Sequence, residues 1–230
     1  ILAFATPVFL TENNIMTLLR QISTNALLTL GMMMAIIIGG IDISLASVVA
    51  LSGTVTAVFI TNLNASIPVA ILCGLLSGIL SGLISSVFIA FVKVPAFIAT
   101  MATMNIARGA AYLATNANPV RITMDEFNNL GIGFLWGIPL PVVYTIFWII
   151  VVAIFMNKTR MGRYIYAVGG NIEAARYSGI SIKLVQVTVH VIAGFLAAFA
   201  GIVLAARMYS GQPAVANGWE LDAVAASVLG

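Results

Sequence analysis

Long apolar runs alternate with short polar stretches along this chain. The runs are roughly 18–25 residues long, which is enough for a helix to cross the hydrocarbon core of a bilayer. They lack the in-and-out alternation of a barrel strand. Because lipid cannot satisfy backbone N–H and C=O groups, only helices and closed barrels span a membrane. The pattern therefore predicts an all-α polytopic membrane protein, a bundle of about eight transmembrane helices.

The polar stretches divide the chain into predicted spans. Residues 1–10 form the tail of a first span, and an eighth helix begins near Asp222. The other spans are predicted at 22–40, 43–61, 67–91, 95–115, 139–156 and 184–206. Both ends lie inside apolar runs, and no signal peptide is recognisable. We therefore expect residues 1–230 to form a single transmembrane domain that is incomplete at both ends.

Composition supports lipid as the main solvent of the chain. Hydrophobic residues make up 61% of it and charged residues only 7%, whereas a soluble domain is about 25% charged. Cys73 is the single cysteine, and no Cys/His cluster has metal-ligand spacing, so we expect neither a disulfide nor a metal site. The basic residues lie mostly beside spans, which favours topology signals over nucleic-acid binding.

Charge asymmetry orients the bundle. Segment 157–183 carries five basic residues and one acid, Glu173, so the positive-inside rule assigns it to the cytoplasm. Counting back through the spans assigns Lys93 to the cytoplasm as well. The same count makes residues 116–138, with Asp125 and Glu126, an extracytoplasmic loop.

Small residues recur at four-residue spacing in two spans. The two sets are Gly74, Gly78 and Gly82, each near a serine of the series Ser77, Ser81 and Ser85, and Ala193, Ala197, Gly201 and Ala205. Such spacing lets helix backbones approach closely. Close packing is the main interpretation, and a pore-lining role for the serine face is the alternative.

Two eight-residue segments resemble each other. Residues 42–49 and 222–229 share Asp, Ala, Ser and Val at four of eight positions. In the predicted topology, the first segment follows an inward-running span and the second an outward-running one, as in an inverted-topology repeat. A chance match of common residues is the other interpretation.

The cytoplasmic segment contains a short, complete helix. Asn171 is a good N-cap, Glu173 suits the positive N-terminal end, and Gly179 suits the left-handed C′ position. Ser181 can then cap the following span. A rigid capped helix between two spans is typical of a docking element, although an ordinary interfacial helix would have the same pattern.

A resemblance to a known family is carried by four sequence blocks, namely Asn157–Ile180, Gly39–Gly53, Pro95–Gly109 and Trp219–Gly230. They resemble blocks of the permease subunits of ribose and simple-sugar ABC importers. They keep the order of that family over nearly the whole chain. The resemblance implies part of a permease of about eight to ten helices in a bacterial or archaeal cytoplasmic membrane.

The resemblance also implies partners. A second permease copy or a paralogue completes the pore, an extracytoplasmic binding protein delivers the sugar, and cytoplasmic ATPase subunits bind ATP and Mg²⁺. We expect no cofactor in this chain, no enzymatic activity and no nucleic-acid partner. The residues expected to couple the permease to the ATPase are Arg163, Tyr164, Asn171, Glu173, Ala174, Arg176 and Gly179.

Polar residues within or beside spans are candidates for the translocation path. They are Asn25, Asp42, Ser44, Ser47, Asn105, Arg108 and His190. Polar groups in a membrane usually face the bundle, where they serve packing or function. For Asp42 and Ser44 the alternative is an N-cap of the third span. For Asn25, Asn105, Arg108 and His190 it is hydrogen bonding between helices, with snorkelling as a further alternative for Arg108.

Two other classes of membrane protein fit the sequence less well. An ion-coupled secondary transporter of a small polar solute usually needs acids at mid-membrane, whereas Asp42 and Asp222 lie near predicted span ends. An intramembrane enzyme would need a recognisable catalytic set, such as HExxH, which the sequence lacks. No Walker A motif occurs either, so any ATPase must lie elsewhere.

Overall fold

The computed structural model describes residues 11–229, in which helices dominate. Strands are limited to four two-residue segments that pair as two antiparallel ladders, β1 with β4 and β2 with β3. The helices are α1 Glu12–Ile37, α2 Leu45–Thr61, α3 Ile67–Val87 with a π-helical end Phe88–Val92, α4 Ala96–Ala114, α5 Asp125–Ile132, α6 Leu140–Lys158, α7 Arg160–Gly170, α8 Ile172–Tyr177, α9 Ile182–Arg207 and α10 Trp219–Leu229. The strands are β1 Val120–Arg121, β2 Phe134–Leu135, β3 Ile138–Pro139 and β4 Ser210–Gly211.

Helix α9 is the central element of the bundle. It contacts α1, α2 and α3 along its length. In its most apolar stretch 78% of the residues are buried, against 28% for α3 with its π-helical end and 22% for α6. The outer surfaces of α3 and α6 are aliphatic and exposed, as expected for helices that face lipid. Helix α9 therefore connects the two ends of the bundle through its core.

Glycines bring α3 and α9 into backbone contact, as the small-residue spacing predicts. A Cβ atom at Gly78 would overlap the carbonyl oxygen of Gly194, and one at Gly82 would overlap that of His190. The serine face divides: Ser77 and Ser81 donate to carbonyls of their own helix, whereas Ser85 donates to Thr103 of α4 at 2.9 Å. The contacts described for these glycines and serines are therefore packing contacts within and between helices.

Three helices in the described range are long and apolar enough to cross a membrane, namely Ile67–Val92, Leu140–Lys158 and Ile182–Arg207. Helix α2 is apolar but shorter, and α1 and α4 have the length with a less apolar composition. The predicted spans at 43–61, 67–91, 95–115, 139–156 and 184–206 agree with observed helices to within two residues. The predicted first span at 1–10 lies outside the described residues.

Three predicted boundaries differ from the structure. Helix α1 starts at Glu12, ten residues before the predicted span at 22–40, because polar residues without proline or glycine continue a helix. Helix α10 starts at Trp219, three residues before Asp222. Helix α1 ends at Ile37, three residues before the predicted end at residue 40, and Gly39 adopts φ +80° in the turn that follows.

The predicted loop 116–138 is partly ordered secondary structure. It contains α5, whose first turn holds Asp125 and Glu126, the charge sign favoured at a helix N-terminus. Strand β1 pairs with β4, which brings this segment against the chain that follows α9. The predicted extracytoplasmic loop and the segment that follows α9 therefore meet at one end of the bundle.

Candidate functional site

Local capping defines the two short helices that follow α6. The Thr159 hydroxyl accepts the Gly162 amide at 3.1 Å at the start of α7, and the Asn171 side-chain oxygen accepts the Ala174 amide at 2.9 Å at the start of α8. Each bond satisfies an amide that has no partner within its helix. The N-cap predicted at Asn171 is confirmed, whereas α7 was not predicted.

The exit from α8 also follows the predicted pattern. Gly179 adopts φ +79°, a left-handed conformation that favours glycine. Ser181 then caps α9, its hydroxyl accepting the Leu184 amide at 3.4 Å. The connection between α8 and α9 is thus four residues long, 178–181, and defined at each end.

Buried contacts hold α7 and α8 against the bundle. Ile165, Val168 and Ala175 are buried and pack in one cluster with residues of α1, α6 and α9. Gly162 and Gly169 lie against backbone, Gly162 against Met156 and Gly169 against Ile37, so closely that a Cβ atom would overlap a carbonyl oxygen. The segment is therefore fixed to the ends of several long helices.

The opposite face of this segment is exposed. All seven predicted coupling residues lie on it, namely Arg163, Tyr164, Asn171, Glu173, Ala174, Arg176 and Gly179. Arg176 and Glu173 form an ion pair at 2.8 Å. Since an exposed pair of this kind contributes about 0.2–1 kcal/mol, its main effect is to fix the directions of two charged groups. The coupling candidates are therefore all accessible to a partner in the folded chain.

A cavity of about 720 Å³ opens beside this surface. Its wall combines the turn after α1 at Gly39 and Gly40, the π-helical end of α3, Ile172 and Arg176 of α8, and the first turns of α9. His190 contributes to the wall and is fully buried. The cavity thus joins segments that the predicted topology assigns to the cytoplasmic side.

Asp42 lies buried in the turn before α2. Its Oδ1 accepts the Ser44 amide at 3.0 Å and the Ser44 hydroxyl at 2.5 Å, while Oδ2 has no partner among the described residues. Ser44 occupies the N-cap position, but its hydroxyl bonds Asp42 and not a helix amide. Thr100 of α4 holds the same turn by hydrogen bonds to Ile41 and Ile43.

The other translocation candidates are dispersed. Arg108 donates from Nη1 to the carbonyls of Pro213, at 2.7 Å, and Val215, at 2.8 Å. Asn105, one turn away, is exposed and donates to the Met101 carbonyl. Asn25 lines a separate groove between α1, α6 and α10. Ser47 is buried on α2. The structure therefore places these residues at several positions and does not assemble them into one site.

Sequence reasoning missed two members of the cavity wall. Lys93 and Lys183 both line it with His190, but the sequence indicated them only as topology signals. Lys183 Nζ lies 4.9 Å from the ring centre of Phe91. Their convergence depends on the packing of α3 against α9, which no local pattern specifies.

Residues 14–230 match the family described as branched-chain amino acid transport system / permease component. The ribose import permease protein RbsC of Haemophilus influenzae is 39% identical over 242 residues, covering 100% of this chain and 72% of that protein. RbsC of Bacillus subtilis is 41% identical, with the same coverage. The L-arabinose transport system permease protein AraH of Escherichia coli is 41% identical, covering 99% of this chain and 69% of that protein. No solved structure matches the chain.

Proposed function

We propose that this chain, which belongs to the family of permease components of the branched-chain amino acid transport system, is the membrane-spanning permease subunit of an ATP-driven importer for a pentose sugar. The family description refers to amino acids, whereas the relatives described above are named for sugars. The sugar permeases are 39–41% identical to this chain over nearly its whole length, which favours a sugar as the substrate. Ribose and L-arabinose permeases are equally similar, so the proposed substrate class is an aldopentose.

One observation carries the coupling role: α8 is capped at both ends, anchored on its buried side and exposed on the other. A partner that moves such a helix moves the long helices to which it is fixed. We therefore assign the exposed face of 163–179 to contact with a separate ATPase subunit, which supplies ATP and Mg²⁺. The chain itself needs no cofactor in this scheme and catalyses no reaction.

The remaining parts of the proposal concern the whole transporter. A second permease copy or a paralogue completes the pore within the cytoplasmic membrane, and an extracytoplasmic binding protein delivers the sugar to the end that carries 116–138. About eight spans in the chain fit this scheme. Asn25, Asp42, Ser44, Ser47, Asn105, Arg108 and His190 remain candidates for the path.

The coupling role is tested by removing the charged pair of α8. The Glu173→Ala, Arg176→Ala double variant is co-expressed with the ATPase encoded beside it, and the ATPase retained after affinity purification is measured. We expect at least a fivefold loss of ATPase and a parallel loss of uptake. The matched control for ATPase retention is Arg121→Ala, Glu126→Ala on the other end of the bundle, which should leave the retained amount of ATPase unchanged. Wild-type retention and uptake in the α8 variant would show that docking occurs elsewhere.

The substrate class and the energy source are tested in cells that lack other pentose transporters. Uptake of labelled ribose, L-arabinose, xylose and leucine is measured with the complete transporter. We expect saturable uptake of one aldopentose that stops when ATP is depleted and persists when the ion gradients are collapsed. Uptake that follows the ion gradient would identify a secondary transporter, and uptake of leucine alone would overturn the sugar assignment.

A further inference from the structure

The cavity beside α8 has a wall of one charge sign. Lys93, Arg176 and Lys183 line it, and no acidic side chain in the described range does. Arg176 is engaged by Glu173, and Lys183 lies over the ring of Phe91, but neither lysine has an acidic partner among the described residues. Lys93 and Lys183 come from different helix ends, so their approach depends on the tertiary fold. Such a wall attracts an anion.

The first turn of α9 adds to this attraction. Ser181, Ile182 and Lys183 belong both to the wall and to the start of this 26-residue helix. A helix N-terminus carries a partial positive charge and unpaired amide groups, which together favour phosphate. The lysines and the helix end therefore act on the same region of the cavity.

His190 supplies an independent indication of a ligand. It is fully buried, and its Nδ1 lies 2.8 Å from the carbonyl oxygen of Gln186. Since a carbonyl only accepts, Nδ1 carries the hydrogen, and in the neutral ring Nε2 is then an acceptor. Nε2 has no hydrogen-bond partner among the described residues. A hydroxyl group from a ligand would satisfy it.

We infer that this cavity binds a hydroxylated phosphate. The phosphate lies toward Lys93, Lys183 and the start of α9, and a hydroxyl of the same molecule donates to Nε2 of His190. Positions 183 and 190 are separated by about 10 Å along the helix. A short polyol phosphate and the extended side chain of Lys183 together cover this distance. The volume of about 720 Å³ accommodates such a molecule together with water.

Two sources supply this chemistry. One is a soluble polyol phosphate of the cytoplasm, and the other is the glycerol phosphate headgroup of phosphatidylglycerol, which basic pockets at a cytoplasmic membrane surface can hold. Binding of such a ligand goes beyond the proposed transport function, and binding measurements alone test it. Its failure therefore leaves the results of the uptake experiments unaffected.

The test uses the purified full chain in detergent, stripped of phospholipid. Binding of sn-glycerol 3-phosphate, inorganic phosphate and glycerol is measured by calorimetry, and retention of phosphatidylglycerol by native mass spectrometry. The variants are Lys93→Gln and Lys183→Gln, which keep most of each aliphatic stem. Lys158→Gln, an exposed lysine of the same predicted membrane side that lies outside the cavity, is the matched control.

We expect one of the two phosphate sources to bind, with at least a tenfold loss of affinity in each cavity variant and wild-type affinity in Lys158→Gln. Saturable binding of glycerol 3-phosphate identifies the soluble source, and selective retention of phosphatidylglycerol the lipid. His190→Phe should weaken the binding of glycerol 3-phosphate severalfold without affecting the binding of inorganic phosphate. The inference would be overturned if neither ligand binds, or if the cavity variants and the control bind with equal affinity. Glycerol 3-phosphate binding that His190→Phe leaves unchanged would overturn the role of His190.

Discussion

Gly82 lies so close to the backbone of α9 that a methyl group at this position would overlap the carbonyl oxygen of His190. Gly109 of α4 has open space around its Cβ position. The two glycines thus differ in their surroundings, although both lie within helices. Because both residues are glycine, residue type does not predict which of them lies in a close helix contact. The four-residue spacing does, because Gly82 belongs to the series with Gly74 and Gly78.

Replacing these glycines by alanine should have opposite effects. We expect Gly82→Ala to destabilise the protein by about 1–3 kcal/mol, because overpacking forces two helices apart. Gly109→Ala should be neutral or slightly stabilising, since alanine is the better helix former. Thermal unfolding in detergent measures both, with Gly109→Ala as the matched control. Equal melting temperatures would contradict the close approach of α3 and α9.

Arg108 holds the chain between β4 and α10 through two carbonyls. Because hydrogen bonds from a charged group are worth about 1.5–3 kcal/mol, Arg108→Ala should loosen residues 212–218. Hydrogen exchange of that segment should accelerate several-fold, while exchange in α8, at the other end of the bundle, stays unchanged. Arg121→Ala, an exposed arginine of the same end, serves as the control. Unchanged exchange at 212–218 would show that other contacts hold this segment.

At the scale of elements, α8 was predictable because all its signals are local. An N-cap, an acid in the first turn and a left-handed glycine occur within nine residues. Helices α7 and α5 were not predicted because their polar residues suggested loops. Each nevertheless has a buried side, which is covered by helices distant in the sequence. The start of α1 was missed for a related reason, since a fall in hydrophobicity does not end a helix.

The cap of α8 gives a prediction at this scale. Asn171→Ala removes the bond to the Ala174 amide and should destabilise α8 by about 0.5–2 kcal/mol. Amide exchange over 172–177 should rise, and coupling of ATP hydrolysis to transport should fall. Asn171→Asp keeps an acceptor and should restore both. If Asn171→Asp behaves like Asn171→Ala, capping is not the relevant role of this side chain.

For the whole molecule, charge and hydropathy predicted a helical membrane protein and most span positions. They did not predict which polar residues would meet. His190, Lys93 and Lys183 surround one cavity, while Asn25, Asp42 and Arg108 lie apart. Which polar side chains come together depends on which helices are neighbours in the bundle. Composition does not reveal this, because lipid-facing and core-facing helices can have similar compositions.

The predicted orientation can be tested with two exposed residues at opposite ends. Trp136 is 93% exposed and Tyr177 is 88% exposed. In a Cys73→Ala background, Trp136→Cys should react with a membrane-impermeant maleimide in intact cells. Tyr177→Cys should react only after permeabilisation. The reverse pattern would invert the topology and place α8 outside the cytoplasm.

The conformation of Lys93 has an evolutionary consequence. This residue ends the π-helical turn with φ +65°, where a side chain other than glycine or asparagine is unfavourable by about 1–2 kcal/mol. Drift would therefore favour glycine at this position unless the charge were needed. Orthologues that keep lysine or arginine here despite the strained backbone would indicate selection for the cation. Replacement by glycine across many orthologues would indicate that the turn alone matters.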